Sequence, residues 1–144
     1  MGASNYTRNN VLNALLRGVT FPLPTGTYVA LHTADPGFTG ASEVSTTDWP
    51  AYVRRKAEGT GAIGSGWTAS TAGSSTNTNQ LTYPGQDGAS SVTITHYAIW
   101  DALSGGNCLD SGQLKDINGN VATRTLSPGD VFVFDVGTIT NTMS

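Results

Sequence analysis

The stretch from Val92 to Leu114, VTITHYAIWDALSGGNCLDSGQL, constrains this chain more than any other, because it reads as two strands closed by a glycine turn. Along the first strand Val92, Ile94, His96, Ala98 and Trp100 fall on one face, and Thr93, Thr95, Tyr97, Ile99 and Asp101 on the other. β-Branched and aromatic residues occupy both faces, so the strand belongs inside a sandwich or beneath a partner rather than in solvent. Ser104-Gly105-Gly106-Asn107 accepts the positive φ of a tight reversal, and a second strand follows from Cys108 to Leu114. The rest of the chain is expected to pack around this hairpin.

Other segments repeat the pattern. Thr27 to Thr33 alternates Tyr28, Ala30 and His32 against Val29 and Leu31, and Ala34-Asp35-Pro36-Gly37 then turns the chain. Ala51 to Glu58 places Tyr52, Arg54 and Lys56 on one side and Val53, Arg55 and Ala57 on the other, which predicts an exposed edge guarded by cations. Further strands are predicted at Gln80 to Tyr83, Val121 to Leu126, Val131 to Val136 and Thr138 to Asn141, with Phe132 and Phe134 facing the core. About seven to nine short strands between turns predict an all-β, antiparallel β-sandwich, with a jelly-roll-like arrangement among its variants. A parallel sheet would need crossover helices, and the sequence offers none.

One helix is predicted over residues 4–17. Ser4 or Asn5 caps it, Arg17 lies in its last turn, Gly18 follows, and Tyr6, Val11, Leu12, Leu15 and Leu16 concentrate on one side. Asn9, Asn10 and Asn13 are poor interior residues, so the leucine face must dock. Its own β-domain, spanning 27–142, is the first expectation, and a neighbouring subunit the second. Residues 59–79, GTGAIGSGWTASTAGSSTNTN, lose periodicity. They predict a long polar loop that is mobile or ordered by a neighbour, with Ile63 and Trp67 as anchors. Residues 1–144 are read as a single domain.

Composition narrows the function classes. Charged residues make up 12% of the chain, about half the usual ~25%, and Gly, Ser, Thr and Asn take their places. A net charge of -3 argues against a nucleic-acid partner. The single Cys108 excludes an intramolecular disulfide and reads as a small buried hydrophobe. No apolar run approaches the ~18 residues of a membrane span, and no secretory leader is expected, so no membrane partner is assigned.

Motifs for chemistry are missing as well. His32 lies near Asp35 and Glu43 in sequence, but the other histidine, His96, is expected on a distant strand; a hydrogen-bonded strand histidine is the simpler reading. Asp101 and Asp110 flank the hairpin as turn-associated aspartates rather than a glycosidase pair. Asp116-Ile117-Asn118-Gly119-Asn120 contains an Asn-Gly reversal and lacks the spaced carboxylates of a calcium loop. No catalytic residue, cofactor or metal is expected.

The capped helix ending LLRG, then TYVALHTADPG, TGASEV and AYVRRK, then THYAIWDALSGGNCLDSGQL and SPGDVFVFDVGTI, resembles the small tailed-bacteriophage virion proteins often labelled capsid decoration or tail fibre proteins. The resemblance implies a virion structural protein, made in the host cytoplasm and carried on the particle. Two roles follow. In the first, a decoration (cement) protein on the outer surface of the head binds over joints between major capsid subunits and associates with copies of itself, a homotrimer being favoured. Small size and the want of a shaft or coiled-coil stalk support it. In the second, a tail fibre or receptor-binding module stacks a host surface sugar on Trp49, Trp67 and Trp100. For subunit or capsid contact the expected residues are Tyr6, Leu12, Leu15 and Leu16 of the helix, Ile63 and Trp67 of the loop, and Arg54, Arg55 and Lys56 facing an acidic neighbour.

Overall fold

A computed structural model describes residues 2–143, and Met1 and Ser144 lie outside the described residues. The hairpin is central. Strand β7 (His96–Trp100) pairs antiparallel with β8 (Cys108–Gln113) on one side and β2 (Tyr28–His32) on the other. Two short strands complete this five-stranded sheet, β1 (Gly2–Ala3) beside β8 and β3 (Arg55–Lys56) beside β2. Three antiparallel pairs surround it: β5 (Leu81–Thr82) with β10 (Val133–Phe134), β6 (Val92–Ile94) with β9 (Arg124–Leu126), and β4 (Ser74–Thr76) with β11 (Thr140–Thr142). The fold is all-β with one short helix, in agreement with the sandwich expected from the sequence.

The long strand expected from Val92 to Asp101 is divided at Thr95. There the backbone leaves one ladder for another: the Thr95 N–H donates to the His32 carbonyl, and the Leu114 N–H donates to the Thr95 carbonyl. A one-residue slip reverses the faces of everything beyond it. Val92 and Ile94 therefore share the main core with Tyr97, which alternation had put on the opposite side, while Ala98 and Trp100 join Ala30 and Cys108 in a smaller cluster.

Aromatic rings dominate the main core. Tyr52 and Tyr83 stack with centroids 6.4 Å apart, Tyr83 meets Phe132 and Phe134 edge-on, and Tyr97 closes on Phe134 at 6.0 Å. Each buried tyrosine finds a partner for its hydroxyl: Tyr83 donates to the Val29 carbonyl at 2.8 Å, and Tyr97 to that of Thr140 at 2.8 Å. Tyr52 donates to Glu43 at 3.0 Å and accepts from the Leu31 N–H at 2.9 Å. Such rings bring large apolar area into the core, and the satisfied hydroxyls remove the cost of taking a polar atom with them.

Helix α1 runs Asn5–Arg17, with Ser4 as its N-cap and Gly18, at φ 66°, as its C-cap. Its first turn is riveted to the body. Ser4 Oγ accepts from the Thr7 N–H and donates to the Cys108 carbonyl, Thr7 Oγ1 donates to the Leu109 carbonyl at 2.7 Å, and the Asn5 N–H reaches the Phe38 carbonyl at 3.0 Å. The leucine face does not dock on the β-body: Leu12, Leu15 and Leu16 are 54%, 76% and 78% exposed. Thr7, Val11 and Ala14, at i, i+4 and i+7, form the less exposed side instead. The body offers this helix carbonyls at one end rather than an apolar trough along its length.

Candidate interaction surface

The helix shows the molecule's clearest outward-facing apolar feature. Its large side chains point away from the β-body and its small ones point inward, the reverse of an ordinary surface helix. Exposed Val19 and Leu23 extend the apolar character into the proline-containing segment that follows. Tyr6 does not share this surface: half-buried and six positions before Leu12, it lines a cleft of about 250 Å³ with Phe38, Trp100 and Cys108.

The cationic edge expected at residues 54–56 is largely internal. Arg54 is buried, where solvent exposure was expected. Its guanidinium forms a two-pronged ion pair with Glu43, Nε to Oε1 at 2.8 Å and Nη2 to Oε2 at 2.7 Å, and Nη1 donates to the carbonyls of Ala102 and Gly105, each at 2.8 Å. The same group lies 3.9 Å from the centre of the Trp100 ring. Alternation correctly put Tyr52 and Arg54 on one side, but that side faces Glu43 in the interior. Burial alone would raise the Glu43 carboxyl; hydrogen bonds and charge from Arg54, with the Tyr52 hydroxyl, outweigh it and hold the group below the usual range. Arg55 and Lys56 are half-buried and donate to the backbone carbonyls of Thr82 and Gly61.

The polar segment 59–79 is ordered by its own chain. Trp67 bridges to Asn77, β4 pairs with the C-terminal β11, and the Trp67 indole donates to Thr27 Oγ1 at 2.8 Å. Thr27 in turn gives its hydroxyl and N–H to the buried Glu58 carboxylate at 2.6 and 3.0 Å. Trp67 is thus an internal anchor, whereas Ile63 is about half exposed. Asn77 is the unseen key: its amide donates to the carbonyls of Asn79 and Asp135 at 2.8 and 2.9 Å and accepts from the Ile139 N–H at 2.9 Å. Nothing in a Ser/Thr/Asn run distinguishes this asparagine from its neighbours.

The sugar-stacking surface is overturned by packing. Trp49 is fully buried and donates to the Gly85 carbonyl, Trp100 lies beneath Arg54, and Trp67 is held against Thr27, so the three indoles present no common face. A larger cleft of about 770 Å³ lies elsewhere, bordered by Tyr97, Gly112, Lys115, Arg124, Phe134 and Thr140, and it includes none of the expected contact residues.

The titratable groups take structural roles. His32 and His96, expected far apart, are direct partners across β2 and β7. Nδ1 of His32 donates to the Ala41 carbonyl at 2.7 Å, and burial lowers the pKa of the ring, favouring the neutral form. Asp101 accepts two hydrogen bonds from Asn107 across the hairpin, and Asp116 accepts from the N–H groups of Asn118 and Asn120 in its turn. Burial pushes Asp110 up to about 6 against the N–H of Ser111 and the side chain of Asn141, which favour its ionised form. Among the described residues no three His, Cys, Asp or Glu side chains form a metal-binding group, and no helix is long and apolar enough to cross a membrane.

These features define a class first: an antiparallel β-domain with an aromatic core that displays an apolar helix. The particular family follows from a match over residues 2–142 to the family described as Podophage GP4 fiber I protein gp80, and the chain belongs to that family. It is a bacteriophage virion structural protein. No curated protein matches it.

Proposed function

We propose that this chain is a subunit of a podophage fibre, with the β-body as its rigid part and the projecting helix as its attachment element. The observation that carries this reading is the family match, which spans residues 2–142 and is described by a fibre name. The geometry supports it through the outward leucines of α1, which give the body a surface to be covered in an assembly. We assign it no catalytic step. Contact through Ile63, Arg55 and Lys56 belongs to the same proposal as a secondary rim, since these side chains retain some exposure.

Quantitative mass spectrometry of purified particles, with antibody labelling of the chain in electron micrographs, tests the placement. A few to a few tens of copies, with label on fibres, is the expected result. Hundreds of copies in simple ratio to the major capsid protein, with label over the head, would instead establish the decoration role expected from size and overturn the fibre placement.

A further inference from the structure

We infer that the outward face of α1 is a self-association surface: Leu12, Leu15 and Leu16 of one copy pack against the same face of a second copy. The inference is independent of which part of the particle carries the chain.

The helix is polarised against its own body. Leu12, Leu15 and Leu16 fall at i, i+3 and i+4, within one helical face, while the opposite side carries Thr7, Val11 and Ala14. With Val19 and with Leu23, which is 80% exposed, the leucines present on the order of 500 Å² of apolar surface, at the upper end of what monomers leave open. Two such faces together reach the ~1,000 Å² that separates specific interfaces from incidental ones.

Charge favours a copy of the chain over a charged partner. The helix contains no acidic residue, and its two cations are turned from the seam. Arg8 lies 4.3 Å over the Phe38 ring, and Arg17 donates to Asn13 Oδ1. Uncharged Asn5 and Asn9 border the leucines on the exposed side. Such a seam brings no like charges together when it meets itself, and it offers an acidic or basic partner nothing to pair with. The root of the helix is fixed through Ser4, Thr7 and Asn5, so pairing does not require the β-body to rearrange.

The test is sedimentation equilibrium of the full chain, compared with the triple variant Leu12→Gln, Leu15→Gln and Leu16→Gln. Glutamine keeps helix propensity and removes apolar area. The wild type is expected to associate, and the variant to weaken association at least a hundredfold, on the order expected when interface anchors are lost, with an unchanged circular-dichroism spectrum. Leu16→Cys supplies a second readout, because the native Cys108 is buried: mild oxidation should give a covalently linked dimer that reduction reverses. A wild-type monomer at high concentration overturns the inference, as does a triple variant that still associates or a Leu16→Cys chain that fails to cross-link. A monomer whose triple variant is lost from particles would show that another virion protein covers the face, and would equally overturn it.

Discussion

Arg54 and Glu43 meet as a two-pronged ion pair, at 2.7 and 2.8 Å, on the inner side of a segment whose sequence reads as a solvated edge. The pair joins β3's approach to the loop after β2, and the two remaining Nη1 contacts reach the turn after β7. Three parts of the chain are therefore fastened at one guanidinium.

Removing one partner leaves a largely buried charge without its counter-charge. Arg54→Met is expected to destabilise the fold by about 3–5 kcal/mol, measured by urea denaturation. Arg54→Lys should recover only part of this, because an ammonium cannot reproduce the fork. Adding Glu43→Gln to Arg54→Met should be less damaging than Arg54→Met alone, since the stranded carboxylate is gone.

Asn77→Ala removes one side chain that satisfies three backbone groups. A loss of about 2–4 kcal/mol is expected from buried partners left unpaired. Hydrogen exchange should accelerate first at the amides of β4 and β11 rather than in the central sheet.

Asp110 makes stability depend on pH. Its folded-state value, about 6, lies above the model value of 3.8, so the folded state holds its proton more tightly. The stabilisation is complete below about pH 4 and is lost as pH rises through 6. Asp110→Asn keeps the shape without the charge. Its stability relative to wild type should rise between pH 4 and 7 and then level off, by about 1–2 kcal/mol after discounting for partial solvation. His32 acts in the opposite direction, its depressed pKa costing stability as pH falls, and it cancels in the difference.

Gly40 lies at φ 80°, and a Cβ there would collide with the Trp100 indole and the Cys108 side chain. Gly40→Ala should lower stability by about 2–4 kcal/mol through combined backbone strain and overpacking. Gly37→Ala, with positive φ but open space around it, should cost only the backbone share, about 1 kcal/mol. Thermal melts of the two variants separate the contributions.

The elements of this fold were legible where the signal is local. Ser4, Arg17 and Gly18 bounded the helix correctly, and alternation found β2, β7 and β8 because turns punctuate them. What escaped depends on partners distant in sequence. Arg54 looks like an edge residue until Glu43 is brought against it, Thr95 looks like any strand residue until two ladders compete for its backbone, and Asn77 is one polar residue among many. The helix surface was half legible: the leucine stripe is periodic, but only the structure shows that it turns away from the body. Tyr6 and Trp67 were assigned to outward contact on residue type, which cannot distinguish an interface aromatic from an anchor.

The pairing of β11 with β4 also sets an order of events. Ile139 is fully buried, and Asn77 completes its hydrogen bonds only with residues 135–139 in place. During synthesis, then, segment 59–79 has no ladder to join until the chain has been made past Thr142. The last strand acts as a latch, and a ribosome that stalls before it releases a body with an open seam rather than a slightly shorter domain.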